Sequence, residues 1–400
     1  MKLFARPRAE RRDIASDLLA AASARRMGSG TAGQVVNENT ALQSMAVWRC
    51  RHLIADIVSG LPIDQFRSSG KRREQMPASE FVRKPSVMVE PEEWRYQLVF
   101  DATGTGNGLA FVTAWEASGW PRKAETVDWC DVSVRQRGAF SPPEYRINGT
   151  PVDTDRVLHL RAYGPTAGSV LGLSPIAYAK QRIGLNLAVG AYGANWYESG
   201  GHPTTALVTD QDLEDGAALA AKEKFRQATT DDHIVALGNG WDLKSIQQAP
   251  SDALFLAATN ATAIDICGYY GIPAEMLGYA TGGSSVTYAN REQRALDLLV
   301  FTMQWWIGRM EKLISRQLPS PQFVKINVDA LLRSDAMTRW TIHDKAVRMG
   351  ARNIDRVHEL EDEPPLPDGA GQQYVWPPSS ASTTINADGQ IGPVGGGAPQ

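Results

Sequence analysis

Apolar and polar residues follow two different rhythms along this chain, and the change of rhythm predicts the order of its elements. Between residues 94 and 160 the apolar runs are short, as in Leu109–Val112 and Val132–Val134, and they are separated by the turn signals Ser118-Gly119 and Asn148-Gly149. Such runs are typical of a small antiparallel sheet. Elsewhere the apolar residues recur at helical spacing. The pattern therefore predicts an α+β chain.

The helical rhythm is clearest in a few long stretches. They cover residues 40–59, 174–199, 251–270 and 287–318, followed by a strand at 323–328 and two shorter helices at 335–349 and 353–360. The stretch 287–318 is the longest and predicts a helix of about 45 Å, at about 1.5 Å per residue. These elements leave room for one sizeable core and two or three subdomains.

The stretch 174–199 has a distinctive pattern. Ser174 can cap the helix, and Pro175 suits its first position. Its apolar residues form two stripes, which predicts burial on more than half of its circumference; the stripes are Ile183, Leu187 and Ala191, and Leu185, Val189, Tyr192 and Trp196. Gly184, Gly190 and Gly193 each cost about 1 kcal/mol of helix propensity. We therefore expect another backbone to approach this helix closely.

Residues 201–250 have the charge pattern of a surface insertion. A short helix is predicted at 209–229, with acidic residues at its start and basic residues at its end, as the helix dipole favours. A strand pair, 234–237 and 241–246, is predicted to follow across Gly238-Asn239-Gly240.

The two ends of the chain look unlike its middle. Residues 1–33 carry six arginines and then a Gly/Ser/Ala stretch, which predicts a flexible basic arm and no secretory signal. Residues 376–400 are rich in Pro, Gly, Ser and Thr, which predicts a disordered tail. The net charge of −3 gives no support to tight DNA binding. Three widely spaced cysteines favour a reducing cytoplasm, and no apolar run is long enough for a membrane span.

Motifs for catalysis are missing from the sequence. The glycines of residues 104–108 are followed by Leu109 and a strand pattern, which indicates a turn and not a phosphate loop. We find no P-loop, H-E-x-x-H, C-x-x-C or G-x-S-x-G motif. His159 lies in an apolar strand and is expected to be structural, and Trp305-Trp306 is expected to pack in a core or between subunits. The sequence therefore predicts no enzyme, no cofactor and no metal.

Four stretches together resemble the portal proteins of long-tailed bacteriophages or of phage-like gene-transfer agents. They are Thr103–Val112 with its Gly-Asn centre; the histidine strand 157–161 with Gly172-Leu-Ser174-Pro175 and the exit at 197–203; Ile264–Pro273 with 288–293; and 350–360 with Pro364-Pro365. In the last, Asp355 replaces the family's usual acid. Each motif is weak alone, but their order covers nearly the whole chain.

The resemblance implies a portal fold and a dodecameric ring. Its wing, of α/β type, would span residues 34–172 and 288–330, and its two stem helices residues 173–200 and 251–272. A small α/β clip would span residues 201–250, a tunnel loop residues 273–287 and a helical crown residues 331–375. The ring would stand at one capsid vertex of a virion, assembled in the bacterial cytoplasm. Its implied partners are double-stranded DNA, the large terminase subunit, a head–tail adaptor and the major capsid protein.

The resemblance also implies roles for individual residues. The tunnel loop would touch DNA without sequence preference through Thr281, Gly282, Gly283, Ser284 and Ser285. The clip would contact terminase and adaptor through Asp212, Lys222, Lys224, Arg226, Asp231 and Asp232. Neighbouring subunits would pack through Gly184, Leu187, Gly190, Tyr192, Trp196, Trp305 and Trp306.

Two other interpretations remain open at this point. One is an α/β hydrolase with an unrecognised site, which would act on esters or phosphates as a monomer or dimer. The other is a different head–tail connector or a maturation protein, although adaptors are usually much shorter and lack the Gly-Ile-Pro and Gly/Ser-loop pair.

Overall fold

The computed structural model describes the backbone over most of the chain. The described residues are 29–70, 72–138, 141–163, 168–198, 205–209, 219–220, 223, 241–245, 252–279, 294, 296–328, 336–361, 363–375, 383–385 and 391–393. They divide into two compact units, one ending at Ile326 and one beginning at Asn327.

The first unit begins with a hairpin and two helices. Their bounds are β1 Ser29–Thr31, β2 Gln34–Val36, α1 Glu38–Ala41 and α2 Met45–Gly60. The hairpin turns at Ala32 and Gly33, which both have positive φ, so residues 29–31 of the predicted flexible arm are paired with residues 34–36. The single helix predicted at 40–59 is two helices. The first begins early, at Glu38, because Asn37 and Thr40 form a capping box there.

Helix α2 is the centre of the core. The next elements are β3 Ile63–Ser69, β4 Arg72–Met76, α3 Glu80–Arg83 and α4 Pro91–Thr105. Val47, Ile54 and Val58 of α2 are fully buried, as is Leu98 of the adjacent α4. Trp94 of α4 is buried too, and its indole Nε1 donates to the carbonyl of Ala124, 2.8 Å away. This bond fixes α4 against the neighbouring sheet.

The predicted antiparallel region forms two three-stranded sheets. The strands are β5 Asn107–Trp115, β6 Pro121–Val127, β7 Val132–Arg135, β8 Glu144–Ile147, β9 Thr150–Val152 and β10 Val157–Arg161. Their orders are β10-β5-β6 and β7-β8-β9, and His159 lies opposite Leu109. The predicted turn at Asn148-Gly149 is confirmed: both residues have positive φ, as a tight hairpin requires.

The next part contains the two helices predicted as a stem. Its elements are α5 Pro175–Tyr178, α6 Lys180–Glu198, β11 Thr205–Thr209, β12 Trp241–Ser245 and α7 Asp252–Tyr270. The first predicted helix is broken at Ala179, where ψ is 3°. Strand β12 was predicted correctly, but it pairs with β11, whose Leu-Val-Thr run favours a strand. The predicted partner, 234–237, lies outside the described residues.

The long helix predicted at 287–318 is helical in its described part from residue 296 to Ser315, but it is not α-helical throughout. Residues 296–298 are helical, Leu299–Met303 form a π-helical turn, and α8 spans Gln304–Ser315 before strand β13, Gln322–Ile326. The hydroxyl of Thr302, within the π turn, donates to the carbonyl of Gly271 just after α7. Such turns accommodate an extra residue in a helix. Strand β13 joins β3 and β4 in a third sheet, ordered β13-β3-β4.

The second unit is smaller. It contains α9 Ala336–Arg348, α10 Ile354–Leu360, β14 Tyr374–Val375, β15 Thr383–Ile385 and β16 Ile391–Pro393. Both helices agree with the predicted ones to within about one residue at each end. The three strands pair antiparallel, so these parts of the predicted disordered tail are extended and paired. The β-branched run at 383–385 favours this state.

Candidate functional site

Two backbone segments touch where the sheet meets the start of α5. Helix α4 ends at Gly106, which is left-handed with a φ of 86°, and its carbonyl accepts from the amide of Ala162 at 2.8 Å. A Cβ at Gly172 would lie 2.0 Å from that same carbonyl oxygen, and a Cβ at Gly106 would lie 2.6 Å from the Gly172 oxygen. Only glycine fits at either position, so the contact depends on both.

We call this contact of residues 104–107 with residues 162 and 172 the joint. The side chain of Asn107 holds it together. Its Oδ1 accepts from the amide of Gly172 at 2.8 Å and from His159 Nε2 at 3.0 Å, and its Nδ2 donates to the Thr105 carbonyl at 3.1 Å. The residue is only 2% exposed. A buried amide with all of these bonds made stabilises one arrangement of the segments around it.

His159 extends the network into the sheet. Since Asn107 Oδ1 can only accept, Nε2 carries the proton, and the Tyr145 hydroxyl donates to Nδ1 at 2.9 Å. Burial, and secondarily the nearby Arg161, lower the pKa of His159 to about 3. The imidazole is therefore neutral and has both nitrogens occupied. This agrees with the structural role predicted for it.

Ser174 links the joint to the start of α5. Its hydroxyl donates to the carbonyl of Gly104 at 2.7 Å and accepts from the amide of Ala177 at 3.2 Å, so it caps α5 as predicted. The Gly-Asn motif, the histidine strand and the Gly-x-Ser-Pro start are separate in the sequence but meet here. The first glycines thus end a helix and lead into a strand, the reverse of a phosphate loop.

The buried histidine predicts an acid-sensitive fold. Its folded pKa lies below that of the unfolded chain, so its contribution is complete above about pH 6.5 and is lost as the pH falls towards 3. Between pH 7 and pH 4 we expect the wild type to lose about 3 kcal/mol of unfolding free energy through this group. His159→Gln, which cannot titrate, should lack this part of the loss in urea titrations. His358→Gln, in the second unit, is the control, and an equal pH slope for both variants would contradict the prediction.

Sequence reasoning missed the role of Arg51. This residue of α2 is buried, lies 3.8 Å over the ring of Phe100, and donates to the Phe100 carbonyl at 2.7 Å. A Cβ at Gly104 would lie 2.5 Å from the guanidinium, so Gly104 leaves space for it. The available signal was a charged residue beside Cys50 on the apolar side of a predicted helix.

A second, partly buried network joins α6 and α7 to α2. Ser44, just before α2, donates to Asn186 Oδ1 of α6 at 2.8 Å. Asn186 Nδ2 donates in turn to the hydroxyl of Thr262 in α7, at 2.9 Å. An ion pair between Arg182 and Asp265, at 3.3 Å, connects the same two helices nearer the surface. The network sets the relative register of three helices.

The two apolar stripes of α6 have different surroundings. In the first, Ile183 is fully buried in the chain's own core and Leu187 is half-buried. The second is partly on the surface, with Leu185 39% and Tyr192 41% exposed and Trp196 half-buried. The predicted close approach of a backbone is not found at Gly190, where a Cβ would meet no atom within 4 Å. Gly184 is buried.

The paired tryptophans lie in one aromatic stack. The Trp305 ring stacks on Tyr163 with centroids 5.1 Å apart, and the Arg309 guanidinium lies 4.0 Å from the centroid of the Trp305 ring. Trp306 is only 1% exposed. Because the Trp306 ring is buried within the subunit, it offers no surface to a neighbouring chain. The packing role expected of Trp306 is therefore intramolecular.

The predicted tunnel and clip residues lie outside the described part of the chain. This holds for Thr281, Gly282, Gly283, Ser284 and Ser285, and for Asp212, Lys222, Lys224, Arg226, Asp231 and Asp232. Among the residues that the structure does describe, no cluster of three or more His, Cys, Asp or Glu could hold a metal ion. No helix in the same residues is long and apolar enough to cross a membrane.

Comparison with known proteins identifies the family. The family model described as phage portal protein matches residues 45–362. This chain belongs to the phage portal protein family. The match includes the joint, α6, α7 and α8, so the portal fold expected from the four motifs is confirmed.

Individual relatives agree. The portal chain is 26% identical over 374 residues to the probable portal protein of Streptomyces phage phiC31, covering 86% of this chain and 80% of the relative. It superposes with a TM-score of 0.58 on an HK97-family phage portal protein from Corynebacterium diphtheriae, at 16% identity, covering 74% of this chain and 96% of that one. It also matches a chain in the neck of a gene transfer agent particle. The TM-score is 0.56 for the empty particle with C6 symmetry and 0.53 for the native particle with C12 symmetry. Each match is 20% identical and covers 90% of this chain and 96% of the other.

Proposed function

We propose that this portal chain assembles into a ring of twelve copies that forms the channel for double-stranded DNA at one capsid vertex. The family match supports the portal role, and the similar chain in a neck with C12 symmetry supports twelve copies. Portal proteins are components of phage virions and gene transfer agent necks, and we propose the same location for this one, after assembly in the bacterial cytoplasm.

One observation carries the ring proposal: the exposed second stripe of α6. The first stripe already packs against the chain itself, and the polar network with α2 and α7 fixes that side of the helix. Leu185 and Tyr192 therefore point away from the subunit's core. A contact that repeats by rotation closes into a ring.

The partners follow from the proposed regions. We propose that residues 201–250 form a clip that binds the large terminase subunit and later a head–tail adaptor, and that the wing faces the major capsid protein. Residues 273–287 would line the channel, where a loop without Lys or Arg suits sliding DNA. The chain would act without catalysis or cofactor, and a separate ATPase would drive packaging.

The ring itself is tested by native mass spectrometry and negative-stain microscopy of the purified full-length chain. We expect a closed ring with a central hole, most often of twelve subunits, although expression without a capsid can change the count. A chain that stays monomeric at low ionic strength and micromolar concentration would rule out the ring.

The regional assignments are tested by two variants in one packaging assay. Replacing residues 203–246 with a short Gly/Ser linker should abolish terminase binding. Replacing Ser284 and Ser285 with Trp should leave ring assembly intact but reduce the yield of particles with full-length DNA, because twelve bulky loops would narrow the channel. Normal terminase binding in the first variant, or normal DNA retention in the second, would contradict the corresponding assignment.

A further inference from the structure

Two buried cysteines from distant parts of the chain lie side by side. Cys50 of α2 and Cys267 of α7 have their Sγ atoms 3.9 Å apart, although 217 residues separate them in the sequence. Neither thiol is exposed. We propose that this pair is a site of oxidative modification, at which a disulfide forms between α2 and the second stem helix.

The surrounding packing holds the two thiols in place. The network from Ser44 through Asn186 to Thr262 ties α2 to α7 a few residues from each cysteine. Ile54 and Ile266, one near each cysteine, are fully buried. A disulfide requires a sulfur–sulfur distance of about 2.05 Å, so each sulfur must move by only about 1 Å. Side-chain rotation can supply such a movement without separating the helices.

The hydrogen bond between the thiols makes them unequal. The Cys50 thiol donates to the Cys267 sulfur. This hydrogen bond, and secondarily burial, raise the pKa of Cys50, whereas accepting the bond lowers the pKa of Cys267. Cys267 is therefore the thiol that ionises first and acts as the nucleophile.

The oxidation can proceed with hydrogen peroxide in two balanced steps. The Cys267 thiolate attacks one peroxide oxygen, the O–O bond breaks, and a sulfenic acid forms while hydroxide leaves and is protonated to water. The Cys50 sulfur then attacks the sulfenic sulfur, the S–O bond breaks, and the departing hydroxide takes the Cys50 proton to form a second water. In total the two thiols lose two protons and two electrons, which the peroxide takes up to form two water molecules.

A small oxidant has a short way in. Gly268, next to Cys267, is exposed, and a Cβ there would meet no atom within 4 Å. The residue that follows Cys267 in the last turn of α7 therefore faces open surface. A local opening of this last turn would admit peroxide while the rest of the core stays packed.

The consequence for the particle rests on the proposed portal function. The thiols would stay reduced in the cytoplasm during assembly and packaging and would oxidise after the particle leaves the cell. The bond would close a loop that contains α4, the sheets, α6 and the proposed clip. Since it would fix the second stem helix to α2, it would convert an adjustable contact into a permanent one in the released particle.

The test uses the purified full-length chain, reduced and then treated with dilute hydrogen peroxide. Peptide mapping without reductant should show a Cys50–Cys267 link in most molecules, together with an intact mass lower by two hydrogens. Cys130→Ser should give the same link, because this exposed cysteine plays no part. Cys50→Ser and Cys267→Ser should each lack it. The linked wild type should melt about 5 °C higher, a rise that reductant reverses.

Comparison with the unfolded chain shows whether the native geometry directs the bond. In concentrated urea the Cys50–Cys267 link should lose its preference over links to Cys130 by about tenfold or more. The same preference in both states, or overoxidised separate thiols in the native chain, would overturn the proposal. Ring assembly is measured in the same samples before oxidation, so a ring without the link refutes only the disulfide, and a link without a ring refutes only the portal ring.

Discussion

Gly172→Ala is expected to destabilise the first unit by about 4 kcal/mol. The new Cβ would lie 2.0 Å from the carbonyl oxygen of Gly106 and 2.9 Å from the amide of Ala162, and both are backbone atoms. They can give way only if the two segments separate. Separation would break the bond from Gly172 to Asn107 and the bond from Ala162 to Gly106. Each break leaves a buried polar group short of a partner.

Thermal and urea unfolding of the purified chain measure this effect. Gly308→Ala is the matched control, because it adds the same methyl group within α8, where a Cβ meets no atom within 4 Å. It should stabilise the chain by about 0.5–1 kcal/mol through helix propensity. The two variants should therefore shift the melting temperature in opposite directions. A melting temperature within about 1 °C of wild type for Gly172→Ala would show that the joint is looser than described.

Leu185→Glu is expected to abolish ring assembly while leaving the subunit folded. In the free subunit the new carboxylate can reach solvent, because Leu185 is 39% exposed. In a ring, the same carboxylate would be buried at every copy of the interface without a partner, at a cost of several kcal/mol per interface. Repetition around a closed ring multiplies that cost, so we expect the ring fraction to fall at least about a hundredfold.

The control for this variant is Ala194→Glu. Ala194 is exposed on the same helix but on the side away from the second stripe. The variant therefore introduces the same charge at a different place on the helix. Native mass spectrometry should show monomers for Leu185→Glu and rings for Ala194→Glu, with the circular dichroism of the wild type in both. If Leu185→Glu still forms rings, the second stripe is not the subunit contact; if it unfolds, Tyr192→Glu repeats the test at the other exposed position.

Much of the fold was predictable because its signals are local. Ser174 and Pro175 begin a helix through a cap and a fixed φ, which depend only on neighbouring residues. Asn148-Gly149 makes its tight turn for the same reason. The two stripes of α6 also follow directly from residue spacing, as does the absence of a nucleotide loop at residues 104–108.

Where local signals were weak or incomplete, the predictions were wrong in detail. The break at Ala179 has no Gly or Pro to announce it. The π turn at Leu299–Met303 accompanies a bond from Thr302 to a carbonyl 31 residues earlier, which no local pattern contains. The pairing of β12 with β11 likewise depends on a partner more than thirty residues away.

The sequence by itself determined the places of the long helices and of several strands, the family to which their order belongs, and the two apolar stripes of α6. Only the tertiary structure decided which residues meet: Asn107 with His159 and Gly172, Cys50 with Cys267, and Trp306 with its own subunit's core. The physical reason is that helical period, capping and turn chemistry act over a few residues and are written in the spacing. Contacts between residues 50 to 217 positions apart depend on how whole elements pack, and spacing does not record that.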